Sequence, residues 1–440
     1  MTHGTLRQGG LLGVATGILS VIAAAVATRS PFVAIGAVAA LLIATLLLHS
    51  LRFAVPLILL SPALSNSYIS GLPDLTQGVK AFALVAAGLA IIRYGLRVSM
   101  IWPVMAYWAV LLLSWLFSDM PSGYSLTTGV VACVGFAAYW LPLAVKWPAI
   151  WGSTVLKTAV YLPYVSLAYG LILWVSPLAR SPLAVDGLTG ELRLQGSTIP
   201  AHFAFLCLVS VMAAYVLIQR EGLRFLPWAA VSFVLLLATL TRGSIVAGSV
   251  IVVAILASIY SMAPKRSTLR FDVLAGSGVA ITAVVLAILT AFVAREGATG
   301  ESISSTGRAD AWSFLLDSRS DAWFGSGINS IPSLVSGTLF ERHFDAAHNE
   351  YLRALVEYGL VGSALVGVAL AYIAFATTRR ARASQGVRIG ALWVSAAILA
   401  AVDNPLSNPA FMLPFIFIVY FACNPSSGPQ IKSRVIPGLT

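Results

Sequence analysis

The sequence is dominated by apolar runs of about 20 residues, separated by short stretches that contain charged residues, proline, glycine or asparagine. A helix of about that length spans the ~30 Å hydrocarbon core of a bilayer, because each residue adds about 1.5 Å. Hydrophobic residues make up 59% of the chain and charged residues only 10%, which is too little polarity for the surface of a soluble protein of this size. The pattern therefore predicts an all-α integral membrane protein.

The apolar runs and their polar boundaries predict roughly 12 to 14 membrane spans. The candidate spans lie near residues 10–28, 31–49, 53–65, 78–93, 99–118, 126–145, 154–176, 200–218, 225–241, 243–261, 273–293, 354–376, 389–402 and 408–423. Several of these runs are short, which leaves the total open. The first run also resembles a signal peptide, but it exceeds the usual ~7 to 15 apolar residues, so we expect an uncleaved span.

Basic residues are distributed unevenly between these runs. Positive flanks resist translocation, so the side with more Lys and Arg is predicted to be cytoplasmic. With both termini on that side, 17 of the 27 basic residues are cytoplasmic, and Lys80 is interpreted as an anchor at the end of a span. The net charge of +11 is thereby assigned to membrane orientation, and no nucleic-acid partner is expected.

The same threading divides the chain into three regions. Residues 1–293 are predicted to form N-terminal transmembrane helices with a short periplasmic loop at 177–199. Residues 294–353 form a large periplasmic loop, and residues 354–440 form C-terminal transmembrane helices with a short cytoplasmic tail. The large loop carries apolar residues at helical spacing in RADAWSFLLDS, so we expect it to be ordered and helical. Loops of that length usually carry function.

Four polar clusters fall on the predicted periplasmic face. They are RLQGSTIPAH from Arg193, LTRGS around Arg242, STGRADAW around Arg308, and FDAAHNEYLRALVEYGLVG around His348. Arginine presents a planar fork of donors that matches phosphate oxygens, so converging arginines at a membrane surface predict binding of a lipid-linked diphosphate. Nucleotides are not supplied outside the cytoplasm. A transfer reaction there needs an activated donor, such as a sugar on a polyprenyl diphosphate.

His348 is the candidate general base, because an imidazole can accept a proton from a hydroxyl near neutral pH. Asp345 or Glu350 is a candidate for orienting the imidazole, and the arginines would offset the charge of the departing diphosphate. We find no carboxylate cluster typical of a magnesium site. The three cysteines are far apart in the sequence, without metal-site spacing. We therefore expect neither a metal nor a cofactor.

Simpler interpretations remain open for these residues. Arg193 and Arg308 can be interfacial anchors in solvated loops. His348 can satisfy the start of the following span, with Asn349 as the capping residue. Arg242 is harder to explain in this way, because it lies between two apolar runs, where a charge is costly unless it is paired or functional.

The clusters resemble motifs of the O-antigen ligase and polysaccharide polymerase family of bacterial membrane glycosyltransferases. The segment from His348 to Gly362 is similar to the His-Asn segment that follows the large periplasmic loop of that family. GRADAW, with Arg308 and Trp312, and the following FGSGIN resemble its loop pattern. RLQGSTIP and LTRGS resemble its upstream arginine motifs, although Thr241 stands where a serine is common.

This resemblance implies a helical domain in the bacterial inner membrane, capped by the periplasmic loop. It implies an undecaprenyl diphosphate-linked glycan as donor, with lipid A core or another lipid-linked glycan as acceptor. The reaction would be O-antigen ligation, or O-antigen or exopolysaccharide polymerisation, without metal and with inversion at the anomeric carbon. His348 would be the base, and Arg193 and Arg242 would hold the diphosphate. The match between guanidinium donors and phosphate oxygens adds Arg308 as a third diphosphate-binding residue. Asn349 and Trp312 would support the site.

A transporter or flippase of a lipid-linked anionic glycan is the alternative function. Such a protein typically has charges and broken helices near the bilayer midplane and two related halves. The charges here cluster on one predicted face and the long loop has no counterpart, which favours an enzyme. The sequence does not identify the acceptor, the sugar or the oligomeric state.

Overall fold

The computed structural model describes residues 51–64, 75–175, 181–185, 190–262, 308–341, 346–385 and 388–424. The predicted spans at 10–28, 31–49 and 273–293 lie outside these residues, as does Asp345. Within them, the helices are α1 Leu51–Leu64, α2 Leu75–Tyr94, α3 Val98–Phe117, α4 Leu126–Ala144, α5 Gly152–Val175, α6 Pro200–Glu221, α7 Leu226–Ala238, α8 Arg242–Met262, α9 Arg308–Asp317, α10 Ile331–Val335, α11 Glu350–Gln385, α12 Gly390–Ala400 and α13 Pro409–Cys423.

Six helices among the described residues are long and apolar enough to cross a membrane. These candidate spans are Val98–Phe117, Thr127–Ala144, Ala149–Val175, Pro200–Glu221, Arg242–Ser261 and Glu350–Ala383. Shorter apolar helices cover Leu51–Leu64, Leu223–Ala238, Gly390–Ala400 and Pro409–Cys423. The chain is thus an α-helical membrane protein, while the total of 12 to 14 spans stays a prediction.

A short antiparallel hairpin lies in the predicted loop at 177–199. Strand β1, Leu183–Val185, pairs with β2, Leu192–Leu194, so that Ala184 lies opposite Arg193. The hairpin fixes the position of Arg193 just before α6. Helix α11 begins inside the predicted large loop, at Glu350.

Helices α6 and α13 form the centre of the bundle. Every residue from Phe203 to Ile218 in α6 is buried, as is every residue from Ala410 to Cys423 in α13. A helix that is apolar on all sides is stable in the core of a protein or in contact with lipid, and the burial of α6 and α13 shows that other helices surround them. Helices α5, α7 and α8 pack around α6, so α6 lies in the core of the described helices.

The two ends of the bundle differ in charge. At one end, Leu96 pairs with Val145 through their backbones, and Arg97 donates to the side chain of Asn424. Arg220 at the same end donates to the carbonyl of Phe421 at 2.6 Å. Further basic residues lie at this end, close to the ends of the neighbouring spans. They are Arg93, Lys146, Lys157, Arg224 and Arg388, and we call this the basic end.

The opposite end is built around a break in α11. Gly359 has φ 63° and ψ −172°, which interrupts the helix. Ser326 donates its N–H to the Val356 carbonyl at 2.8 Å, and Leu360 donates to the Ala322 carbonyl at 3.0 Å. The loop from Ala322 to Gly327 is thereby bonded to the backbone that the break exposes.

Only glycine fits at the break. A Cβ on Gly359 would lie 2.3 Å from the carbonyl oxygen of Trp323, and one on Gly325 would lie 2.6 Å from the Glu357 carbonyl. The hydroxyl of Ser114, in the last turn of α3, donates to the carbonyls of Phe324 and Glu357, each at 3.1 Å. The break is therefore level with the end of α3, near one end of the bundle.

Candidate functional site

The side chain of Arg193 extends from the hairpin to the turn between α7 and α8. Its Nε donates to the Thr239 carbonyl at 2.9 Å, and one terminal nitrogen donates to the Thr241 hydroxyl at 3.2 Å. These bonds join the first arginine cluster to the residue that precedes Arg242. The two clusters, which lie far apart in the sequence, thus share one surface.

The turn that presents Arg242 is strained. Leu240 has φ 53°, a left-handed conformation that costs a bulky residue roughly 1–2 kcal/mol. Arg242 then begins α8, so the guanidinium starts from the N-terminus of a candidate membrane-spanning helix, where an anion is favoured by the helix dipole. Strain of this kind persists only where the surrounding structure imposes it, and it concentrates at functional sites.

The start of α8 packs against the end of α12. A Cβ on Gly243 would lie 2.3 Å from the side chain of Val402, so the glycine permits this close approach. A terminal nitrogen of Arg308, at the start of α9, lies 3.4 Å from the Val402 carbonyl. Arg242 and Arg308 therefore flank the same short segment.

His348 contacts Asp403, the residue that follows Val402 in this segment. Its Nδ1 lies 3.6 Å from Oδ1 of Asp403, with both side chains partly exposed. Arg193 bonds to the turn before Arg242 and Gly243 approaches Val402, while Arg308 and His348 contact Val402 and Asp403, so the segments that carry the four residues meet on one surface of the bundle. We call this surface the arginine–histidine site.

The backbone around His348 is held in place on both sides. His348 has φ 50°, and the Asn349 side chain accepts from the N–H groups of Tyr351 and Leu352 at 3.0 and 3.1 Å. This is an N-cap on α11. Trp312 donates its indole N–H to the Ala347 carbonyl at 2.8 Å, so α9 fixes the residue before His348.

Glu350 has a different role from the one considered in the sequence analysis. Its carboxylate accepts from the backbone N–H of Leu406 at 2.8 Å and of Ser407 at 3.2 Å, and it pairs with Arg353 at 2.5 Å. These partners occupy it, so Asp403 replaces it as the candidate for orienting the imidazole. Glu350 instead fastens α11 to the 3-10 turn Pro405–Ser407.

Sequence reasoning did not single out Asp403, Arg353 or Glu357. Arg353 is buried and lies between the two glutamates, 2.5 Å from Glu350 and 3.6 Å from Glu357. The spacing of three, four and seven residues places all three on one helical face, which is the signal that identifies this triad. Nothing in the local sequence pairs Asp403 with His348.

An apolar groove of about 760 Å³ begins beside the site. It runs from Tyr351 along α11 to Ala374, and Val394 and Ala397 of α12 form its other wall. At one end its lining includes Glu350 and Tyr351, in the first turn of α11. These two residues follow His348 closely in the chain, so this end of the groove lies near the arginine–histidine site.

The fold and the site define a multi-pass helical membrane protein that presents arginines and a histidine–carboxylate pair at one end of its bundle. Residues 227–367 match the family model described as O-antigen ligase. This match confirms the family resemblance and supports a membrane glycosyltransferase of the ligase or polymerase type. No curated protein matches the chain with significance.

Proposed function

We propose that this protein transfers a glycan from undecaprenyl diphosphate to an acceptor hydroxyl on the periplasmic side of the bacterial inner membrane. The observation that carries the proposal is the shared surface of Arg193, Arg242, Arg308 and His348. Three guanidinium groups beside one imidazole suit a reaction in which a diphosphate leaves and a hydroxyl loses a proton.

Each residue has a distinct part in the proposed step. His348 removes the proton as the acceptor oxygen forms a bond to the anomeric carbon, and Asp403 stabilises the resulting imidazolium. The bond between that carbon and the diphosphate oxygen breaks, and the diphosphate leaves with the electron pair. The three arginines stabilise its growing charge, so we expect no metal requirement. Attack opposite the leaving group inverts the anomeric centre.

The apolar groove supports a lipid-linked donor. A polyprenyl chain lying between α11 and α12 would leave its diphosphate at the first turn of α11, beside His348. The walls contain small side chains such as Ala371 and Ala397, and Gly367 leaves the middle of the groove open. Burial of apolar surface along the groove would hold the lipid while the polar end reacts.

The positions of the charges support the enzyme rather than the transporter. Ser114 ties Glu357 to the last turn of α3, so the break in α11 and its charged residues lie toward one end of the bundle. A transporter would be expected to have such features near the midplane. The basic end lies opposite, which supports the proposed periplasmic position of the site.

The test is an assay of the purified protein with undecaprenyl diphosphate-linked oligosaccharide, without nucleotide or added metal. Lipid A core and a second lipid-linked repeat are offered separately, which distinguishes ligase from polymerase. His348→Ala should abolish the product, with a rate loss of about 10² to 10⁴, while binding of the donor persists. Arg308→Ala should weaken donor binding, and Arg319→Ala in the same loop serves as the matched control.

Two results would contradict the proposal. Unchanged product formation by His348→Ala would exclude His348 as the base. Movement of intact donor across a liposome membrane, with no transfer to either acceptor, would favour a flippase.

A further inference from the structure

A second cavity, of about 390 Å³, lies on the other side of the first turn of α11. We call it the Lys80 chamber. Its polar lining comes from five separate parts of the chain and includes Lys80, Ser125, Thr128, Asn329, Arg353 and Ser407. The volume is within the ~300–1,000 Å³ range of small-molecule sites.

Two cations lie along one wall of the chamber. Lys80 Nζ is 5.9 Å from the ring centre of Tyr139, and the Arg353 guanidinium is 5.1 Å from that of Phe136. Glu350 and Glu357 pair with Arg353 and offset its charge, and among the described residues no carboxylate lines the chamber itself. The ammonium group of Lys80 is thus the cation in the lining that favours a negative group on a ligand.

Gly135 makes room for the Lys80 side chain. A Cβ at that position would lie 3.2 Å from Nζ of Lys80, so a larger residue would push the ammonium group away from α4. From the sequence alone, Lys80 is interpreted as an anchor at the end of a span. In the structure, its ammonium group is directed across α4 and lines a polar cavity.

The remaining lining suits hydroxyl groups. Ser125 and Thr128 are in hydrogen-bond contact at 2.7 Å, and Tyr139 donates to the Ser407 carbonyl at 3.1 Å. Hydroxyls and an amide both donate and accept hydrogen bonds, and the aromatic rings behind them offer flat apolar faces. This combination matches a sugar ring and differs from the apolar groove on the opposite side of the helix.

The chamber is linked to the arginine–histidine site through Glu350. Ser407 lines the chamber and donates its N–H to Glu350 at 3.2 Å, and Glu350 follows His348 by two residues. We propose that the Lys80 chamber binds an acidic sugar unit, a uronate or a sugar phosphate, of a glycan substrate. The identity of that substrate rests on the proposed function, whereas binding of the acidic sugar can be tested alone.

The experiment measures binding by saturation-transfer NMR with the full chain in lipid nanodiscs. Glucuronate and glucose 6-phosphate are the probes, and glucose is the neutral comparison. Both acidic probes should bind, and Lys80→Met should weaken them about tenfold, as expected for a lost charge-assisted hydrogen bond. Lys157→Met, which removes a lysine at the basic end, should leave binding unchanged.

Further variants separate this inference from the proposed function. Thr128→Val removes one hydroxyl at nearly constant shape. It therefore provides a second test of probe binding if Lys80→Met does not fold. His348→Ala should retain binding of the acidic probes even though it abolishes transfer. If transfer fails while the probes bind as described, the proposed function is wrong and the chamber assignment stands.

Three outcomes overturn the inference. Equal binding of glucose and glucuronate would show that the negative charge of the sugar does not contribute to binding. Unaltered binding of the acidic probes by both Lys80→Met and Thr128→Val would show that the probes bind outside the Lys80 chamber. Displacement of glucuronate from the wild-type protein by farnesyl diphosphate would assign the chamber to the diphosphate of the donor.

Discussion

The imidazole of His348 lies 3.6 Å from the carboxylate of Asp403, although the whole of α11 and α12 separates the two residues in the sequence. The left-handed backbone of His348 and the cap at Asn349 turn the imidazole toward the end of α12. A carboxylate in this position is close enough to orient the imidazole ring.

We expect Asp403→Asn to lower the rate of glycan transfer by about 10²-fold, the loss that a slightly misplaced catalytic group can cause. Donor binding should change little, because the amide keeps the shape of the side chain. Single-turnover transfer and donor binding would be measured side by side. Asp119→Asn, an exposed aspartate after α3, is the control. A transfer rate equal to the wild type would show that Asp403 has no part in orienting His348.

Gly359→Ala is expected to displace the loop from Ala322 to Gly327. The backbone at Gly359 is one that L residues avoid at a cost of about 1–3 kcal/mol, and the new Cβ would also collide with the Trp323 carbonyl. Thermal unfolding in detergent should show a clear loss of stability. Gly88→Ala, where a Cβ would meet nothing within 4 Å, should not lower it. Equal stability of the two variants would contradict the described break.

Arg353→Met should destabilise the protein by about 3–5 kcal/mol, because it leaves the buried carboxylates of Glu350 and Glu357 without their cation. The measurement is the midpoint of unfolding in denaturant. The double variant Arg353→Met with Glu357→Gln should recover part of the loss. If the single and double variants unfold at the same midpoint, the two side chains are not coupled.

Gly367→Leu should fill the apolar groove without disturbing the helix, since a Cβ there would meet nothing within 4 Å. We expect weaker binding of the lipid-linked donor and an unchanged unfolding temperature. Gly88→Leu places the same side chain on α2, away from the groove, and should bind donor normally. Normal donor binding by Gly367→Leu would place the polyprenyl chain elsewhere.

Much of the fold could be predicted from the sequence. The junction before Arg242 and the apolar runs around it correspond to α7 and α8, because each run must satisfy its backbone hydrogen bonds internally in a membrane. The helical pattern of RADAWSFLLD corresponds to α9. The break at Gly359 was not predicted, because it depends on a loop that arrives from an earlier part of the chain.

The candidate site was predictable only in part. The types of residue at Arg193, Arg242, Arg308 and His348 indicated phosphate binding and proton transfer, since their chemistry does not depend on the fold. Whether they share one surface depends on how the ends of α7, α8, α9 and α12 pack. The carboxylate beside His348 was missed for the same reason, because Asp403 looks like an ordinary turn residue in sequence.

The sequence by itself determined that this chain enters a membrane, which of its residues could carry phosphate and proton chemistry, and which family it resembles. These properties follow from composition, run length and the order of short motifs, all of which are local. The tertiary structure decided that Asp403 faces His348, that Arg353 pairs with two glutamates, and that Lys80 lines a polar chamber. Such contacts arise from packing between distant helix ends, for which the chain carries no local periodic signal.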